Sequence, residues 1–276
     1  MRFLILSDLH LVPPGAPLYG LDPLASLARA VELIVREHAD AGFLVLMGDL
    51  AHAGEAAAYA ALAEALALLP MPVIPLTGNH DTRAGVAAAF PDAPRDAHGF
   101  IEALQVFAEA SVLTLDTLDE ASTEADGVLC PARLAFLAQA LAEAPADRPL
   151  LLLQHHPPMR LGLPGMDRIR LRNPEDEWAV IARGRRPDYL ICGHVHRPVA
   201  GVWRGIPFHV QRGLAHQIAF GPVAPEEGNR GTHEPPDLGI VEIGPGGIRV
   251  HQRPIRYDGP VFRLRDPVAA RARRLP

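Results

Sequence analysis

Five short apolar runs, each followed within three residues by aspartate, asparagine or histidine, constrain the fold of this chain more than any other feature. The runs cover residues 2–6, 43–47, 73–76, 150–153 and 189–192. A short, uninterrupted apolar run is typical of a strand that is buried on both faces of a sheet. Helical periodicity fills much of the sequence between them, as in Leu24, Leu27, Val31 and Ile34. This alternation of strands and helices predicts an α/β core with largely buried sheets.

The sequence also predicts where the helices lie and where the pattern changes. Helices are expected from Asp22-Pro23 to about 39 and over 55–69, 131–143 and 174–183. After residue 196 the pattern becomes one of short strands and turns, expected within 199–210, 216–220, 238–243 and 248–253. The segment Gly221 to Pro236 is rich in proline, glycine and glutamate, which predicts a long loop.

The residues that follow the five runs are all of types that bind metal ions. They are Asp8 and His10, Asp49, Asn79 with His80 and Asp81, His155 with His156, and His194 with His196. Side chains at the carboxyl ends of neighbouring parallel strands converge on one crevice. We therefore expect these residues to form a single site.

The types of ligand indicate the chemistry of that site. Carboxylate, carboxamide and imidazole groups without thiolate suit Zn, Mn, Fe or Co. Cys130 and Cys192 are the only cysteines, too few for a cysteine-rich zinc site or a disulfide framework. Two aspartates, four histidines and one asparagine exceed the needs of one tetrahedral ion. One carboxylate shared between two ions would give each about four protein ligands, as in two-metal hydrolases.

In order along the chain, these motifs resemble those of the calcineurin-like metallophosphoesterases. The series is Asp-x-His, Gly-Asp, Gly-Asn-His-Asp, His-His-Pro-Pro and Gly-His-x-His, over residues 8–196. Three further segments resemble the branch that contains bacterial glycerophosphodiesterases and class III cyclic-nucleotide phosphodiesterases. They are Leu18-Tyr19-Gly20, Met166-Asp167 and Gly213 to Gln217.

The resemblance implies a four-layer αββα sandwich, in which two mixed β-sheets pack face to face and helices cover the outside. Residues 1–196 would form the core that carries every ligand motif. Residues 197–236 would form a small cap or oligomerisation segment, and 237–276 would supply strands that return to the core and an arginine-rich tail.

The resemblance also implies a role for each site residue. The first ion would be held by Asp8, His10, Asp49 and His196, and the second by Asp49, Asn79, His155 and His194. A hydroxide bridging the ions would attack phosphorus, and His80 would orient the phosphate or protonate the leaving alkoxide. Asn79 and His216 would also contact the substrate.

Three further residues in or near these motifs are assigned to neither ion, namely His156, His52 and Asp81. His155 is preferred to His156 because the family's ligand lies two residues before the proline, so His156 is expected to support the site or to pack. His52 stands where relatives often have Asp or Asn, and its role is undefined. Asp81 is expected to help cap the helix after the third strand.

The sequence thus predicts a two-metal phosphodiesterase for small diesters, either glycerophosphodiesters or 3′,5′-cyclic nucleotides. The alternatives are a phosphomonoesterase or protein phosphatase and a phosphonate monoester hydrolase, which would use the same metals. The net charge of −6 argues against a nucleic-acid partner, and no apolar run is long enough for a membrane span. A cytoplasmic location is expected.

A homo-oligomer is also expected, because apolar residues in the cap region could be stranded at the surface of a monomer. These residues are Trp203, Ile206, Phe208, Val210, Ile218 and Phe220.

Overall fold

The computed structural model describes residues 1–221, 229–257, 259–260 and 262–264. The described helices are α1 (Pro23–Glu37), α2 (Ala56–Leu66), α3 (Arg83–Ala89), α4 (Pro131–Glu143), α5 (Pro164–Arg168) and α6 (Pro174–Arg183). The first six strands are β1 (Arg2–Leu6), β2 (Leu44–Leu46), β3 (Val73–Pro75), β4 (Ala103–Val106), β5 (Ser111–Leu115) and β6 (Leu150–Gln154). The later strands are β7 (Tyr189–Cys192), β8 (Val199–Trp203), β9 (Ile206–Val210), β10 (Gln217–Ile218), β11 (Gly231–Thr232), β12 (Asp237–Gly244) and β13 (Gly247–Pro254).

Two mixed sheets form the centre of the fold. The first has the strand order β13-β12-β1-β2-β3, with β1, β2 and β3 parallel and β12 antiparallel to β1. The second has the order β4-β5-β6-β7-β9-β8, in which β5, β6, β7 and β9 run parallel. In each sheet the parallel strands are neighbours, with β3 at the border of the first sheet, so their carboxyl ends lie together at the same end of the sheet.

Alternate residues of the central strands enter different layers of the core. In β1, Phe3 and Ile5 pack with Leu151 and Leu153 of β6, so these faces of the two sheets meet. The remaining face of β1 packs under α1 and α2, and the remaining face of β6 packs under α4 and α6. Both faces of these strands are buried, which explains the unbroken apolar runs. The predicted four-layer sandwich is confirmed.

Most of the predicted elements are present, and some were not predicted. The bounds of α4, α6 and β7 match those read from the sequence, and α2 is shorter at both ends than the predicted helix. The strand predicted over 216–220 is reduced to β10. The helix expected after the third strand, whose bounds were not predicted, is α3, whereas helix α5 and strands β4, β5 and β11 were not predicted. Part of the predicted loop over 221–236, and most of the arginine-rich tail, lie outside the described residues.

The chain after residue 196 returns to both sheets. The β8–β9 hairpin extends the second sheet, and the β12–β13 hairpin extends the first. The side chains of Trp203, Ile206, Phe208 and Val210 are buried within the chain, whereas Phe220 is 75% exposed. The apolar residues on which the predicted oligomer rested are therefore mostly covered by the chain itself, and the oligomer stays a prediction.

Among the described helices, none combines the length and the apolar character needed to cross a membrane.

Candidate metal centre

The loops after the central strands hold the predicted ligands in a backbone conformation that is rare outside glycine. Five of the seven predicted ligands have φ between 44° and 70°, namely Asp8, His10, Asp49, His194 and His196. Backbone hydrogen bonds link neighbouring loops, from Asp8 N to Gly48 O (3.1 Å) and from His10 N to Asp49 O (2.8 Å). Left-handed conformations in non-glycine residues cluster at functional sites, where the surrounding structure enforces them.

One oxygen of Asp49 lies between histidines from both halves of the site. Its Oδ2 is 3.5 Å from His10 Nε2 and 3.4 Å from His155 Nε2, while Oδ1 accepts a hydrogen bond from His80 N (2.9 Å). Burial would raise the pKa of this carboxyl, but the charges of His155 and His10 hold it well below its usual value. Asp49 therefore has the position expected of a ligand shared between two ions.

The four residues predicted to hold the first ion meet at one point. Asp8, His10, Asp49 and His196 each offer one ligand atom, and these atoms lie within 4.8 Å of one another. His10 Nε2 and His196 Nε2 are 3.1 Å apart, and His196 Nε2 is 3.4 Å from Asp8 Oδ1. His196 Nδ1 donates to His216 O (2.8 Å), which leaves Nε2 to face the cluster.

The hydrogen bonds distinguish His155 from His156 on the other side of Asp49. His155 Nδ1 donates to Met47 O (2.7 Å), while its Nε2 is buried without a hydrogen-bond partner among the described residues. Both nitrogens of His156 are engaged, Nε2 by Ala125 O (3.2 Å) and Nδ1 by Thr117 Oγ1 (2.7 Å). This arrangement favours His155 as the ligand and gives His156 a supporting role.

Three buried polar atoms around this second position lack partners, which is costly unless something binds them. Within the described part of the chain, Asn79 Oδ1, His155 Nε2 and His194 Nε2 make no hydrogen bond. Burial lowers the pKa of His194 to about 3, so its ring is neutral and can donate an electron pair. The carboxamide oxygen of Asn79, the neutral imidazole of His194 and the imidazole of His155, once a metal displaces its proton, fit a transition-metal ion.

The predicted substrate residues lie beside the cluster. The ring of His80 is 4.6 Å from that of His10, and its Nδ1 donates to His52 O (2.5 Å). The ring of His216 is 4.4 Å from that of His196 and 4.9 Å from Tyr19. His216 and Tyr19 also line a cleft of about 480 Å³, whose other walls are Ile218, Asn229, Gly231, Thr232 and His233.

The prediction that Asp81 helps to cap the following helix is wrong. Thr82 is the N-cap of α3, because its side chain accepts from Gly85 N. The buried Asp81 instead accepts hydrogen bonds from Leu50 N (3.0 Å) and Ala51 N (3.1 Å) in the loop after β2. It thereby ties the loop of Asp49 to the loop of Asn79.

Three supporting residues were missed from the sequence. Tyr59 Oη donates to Asp81 Oδ1 (2.9 Å), Thr117 hydrogen-bonds His156, and Ser7 Oγ donates to Asp8 Oδ2 (2.5 Å). Of these three, only Ser7 could have been suggested by the sequence, because it directly precedes the predicted ligand Asp8. Tyr59 and Thr117 lie far from their partners along the chain.

The sequence is similar to a known family and to named phosphodiesterases. The sequence profile of the calcineurin-like phosphoesterases matches residues 1–198. A protein of Rhodopseudomonas palustris named as a probable cyclic nucleotide phosphodiesterase is 57% identical over 270 residues, 98% of each chain. A glycerophosphodiester phosphodiesterase of Enterobacter lignolyticus is 28% identical over 222 residues, 78% of each chain.

The fold is also similar to that of solved structures. A dimetal phosphatase of Danio rerio superposes with a TM-score of 0.68, over 92% of this chain and 96% of its own. At 14% sequence identity this likeness shows the shared fold alone.

Proposed function

The chain belongs to the calcineurin-like phosphoesterase family and is a phosphodiesterase, and from that premise we propose that it hydrolyses small phosphodiesters at a centre of two metal ions. The observation that carries the two-metal proposal is the place of Asp49. One of its oxygens lies within 3.5 Å of His10 and of His155, and each histidine belongs to a separate group of ligands.

The proposed ligands are those inferred from the sequence. The first ion binds Asp8, His10, Asp49 and His196, and the second binds Asp49, Asn79, His155 and His194. Fe, Mn, Zn and Co suit this set of oxygen and nitrogen donors. When bound, the ions supply a water of lowered pKa as nucleophile and positive charge for the phosphoryl oxygens.

His80 is proposed to serve the leaving group. Because Nδ1 donates to His52 O, the remaining nitrogen, Nε2, is the one that can hold or give a proton. A proton at Nε2 passes to the oxygen of the departing alcohol as the bond to phosphorus breaks. Asn79 and His216 lie beside this path and contact the phosphate and its ester arm.

The cleft next to His216 offers space for an organic arm of the substrate. Its volume of about 480 Å³ lies in the range of small-molecule sites, and the exposed Tyr19 and the half-buried Ile218 offer apolar walls. A phosphomonoester also carries one organic arm, so the preference for diesters is supported by the names of the relatives and not by this cleft. The name of the Rhodopseudomonas palustris relative supports 3′,5′-cyclic nucleotides, and that of the Enterobacter lignolyticus relative supports glycerophosphodiesters.

The test is a substrate panel with the metal-free protein reloaded with Mn, Zn, Co or Fe in turn. The substrates are bis-p-nitrophenyl phosphate, p-nitrophenyl phosphate, cyclic AMP and glycerophosphoethanolamine. We expect the two nitrophenyl compounds to rank diester above monoester in kcat/KM, and one of the natural diesters to be hydrolysed. A monoester preferred under every metal would overturn the proposal in favour of a phosphomonoesterase.

The proposal also includes a homo-oligomer and a cytoplasmic location. It divides the chain into a core (1–196), a cap (197–236) and a segment of returning strands and tail (237–276). The exposed Phe220 is the residue that still supports an intermolecular contact. Light scattering at micromolar concentration tests the oligomer, and a mass equal to one chain would contradict it.

A further inference from the structure

We infer that His52 is a positioning residue that holds the rings of His10 and His80 in their working orientations. The inference rests on the proposed function, because it gives His10 the role of a metal ligand and His80 that of a proton donor. His52 follows Asp49 by three residues and faces both histidines with different atoms.

The contact with His10 fixes the protonation of both rings. His52 Nδ1 lies 3.2 Å from His10 Nδ1, a distance at which one nitrogen must donate and the other must accept. If His10 binds an ion through Nε2, its proton is on Nδ1. His10 then donates and His52 accepts. An imidazole that ligates a metal commonly has its other nitrogen held in this way, which sets its tautomer and its direction.

The contact with His80 uses the backbone and the face of the ring. His80 Nδ1 donates to the carbonyl oxygen of His52, and the two rings stack with centroids 5.0 Å apart and an interplanar angle of 19°. His52 itself is anchored, because its backbone nitrogen donates to Leu11 O (2.8 Å). One residue thus connects a ligand of the first ion to the group beside the leaving oxygen.

The same three histidines could instead be read as a site for a further ion, since their nitrogens lie within 4.8 Å of one another. The hydrogen bonds argue against that reading. Nδ1 of His80 is used by the carbonyl of His52, and Nδ1 of His10 is used by the ring of His52. A hydrogen-bonded chain accounts for the cluster without an ion.

The positioning role requires a hydrogen-bond acceptor for His10 at position 52, but that acceptor need not be an imidazole. His52→Asn keeps a short side chain with an oxygen that can accept from His10. His52→Phe keeps an aromatic ring that can stack on His80 but has no acceptor. Both variants keep the backbone carbonyl that holds His80, so together they separate the hydrogen bond to His10, which Asn can make, from the stacking on His80, which Phe can make. His98→Phe, at an exposed histidine between α3 and β4, serves as the matched control.

The experiment is a metal titration of the metal-free full-length proteins with Mn or Zn against a chromophoric chelator. We expect His52→Phe to lower the affinity of one of the two ions by about 10- to 100-fold and to leave the other unchanged. His52→Asn should stay within about threefold of the wild type for both ions. In the same preparations, the diesterase activity of His52→Phe should recover when the metal concentration is raised.

The outcomes separate the inference from the proposed function. Equal affinities in the wild type and His52→Phe would overturn the positioning role, as would an Asn variant as impaired as the Phe variant. A third equivalent of metal that His52→Phe alone loses would also overturn it in favour of an ion site. A wild type that binds fewer than two ions would overturn the two-metal centre itself. A His98→Phe variant with altered affinity would show that the effect is not specific to position 52.

Discussion

The backbone at the proposed ligands is held in a conformation that each of these residues disfavours by itself. A left-handed φ at a non-glycine residue costs on the order of 1 to 3 kcal/mol, and Asp8, His10 and Asp49 each have one. The loops compensate through hydrogen bonds between them and through the buried side chain of Asp81, which accepts from three backbone nitrogens. The backbone of the proposed ligands is therefore strained, and these hydrogen bonds hold it in place.

Asp49 is the residue whose loss should affect both ions. Asp49→Ala removes the oxygen that faces His10 and His155, so we expect at least one equivalent of metal to be lost and the diesterase activity to fall to background. Elemental analysis after gel filtration measures the metal content. Two equivalents retained in this variant would contradict the shared role.

His80 should matter for the rate and not for the metals. His80→Ala should keep both equivalents, and it should lose about 10²–10⁴-fold in kcat on an alkyl diester, the usual worth of general acid catalysis. The loss on bis-p-nitrophenyl phosphate should be smaller, because nitrophenolate leaves without a proton. Equal losses on the two substrates would indicate that His80 only positions the phosphate.

At the scale of elements, the site depends on how closely the loops after neighbouring strands approach each other. A Cβ added at Gly78, after β3, would lie 2.2 Å from Asp49 Oδ1 and 2.4 Å from Asp49 N. No side chain can be accepted there unless Asp49 moves. The loop after β2 approaches so closely that the Gly-Asn-His-Asp motif must begin with a residue that has no side chain.

Gly78→Ala should therefore reduce activity through Asp49. A displacement of about 1 Å at a catalytic group can cost 10²-fold in rate, and we expect a loss of kcat/KM of at least that order with weaker metal binding. Gly244→Ala, at the exposed end of β12 where a Cβ would meet nothing within 4 Å, should behave as the wild type. Wild-type activity in Gly78→Ala would show that the loops can separate without harm.

Strands and ligands could be predicted from the sequence because the relevant signals are local. The run Leu150 to Leu153 is buried on both faces, and His155 follows it after one residue. Strands β4 and β5 could not be predicted, since they are short and β5 mixes Ser111 and Thr114 with apolar residues. The partners of His156 and Asp81 are brought close only by folding, so no pattern in the sequence indicates them.

At the scale of the whole molecule, buried carboxyl groups away from the metal centre should set part of the pH dependence of stability. Glu177 of α6 is fully buried, and neither of its oxygens has a hydrogen-bond partner among the described residues. Burial raises its pKa to about 8 from an ordinary 4.5. Between those values the unfolded chain releases a proton that the folded chain keeps, so stability falls as the pH rises.

Glu177→Gln should weaken this dependence. We expect the free energy of unfolding of the metal-free wild type to fall more between pH 5.5 and pH 7.5 than that of Glu177→Gln, as measured by denaturant titration. The exposed Glu175→Gln on the same helix is the control and should follow the wild type. A Glu177→Gln variant with the full wild-type dependence would show that Glu177 does not hold its proton in the folded state.

The most direct test of the two-metal centre is anomalous diffraction from a crystal of the protein loaded with Mn or Zn. The structure predicts two peaks about 3.5–4 Å apart with the carboxylate of Asp49 between them. One peak should lie against Asp8, His10 and His196, and the other against Asn79, His155 and His194. A single peak, or two peaks on the same side of Asp49, would contradict the account.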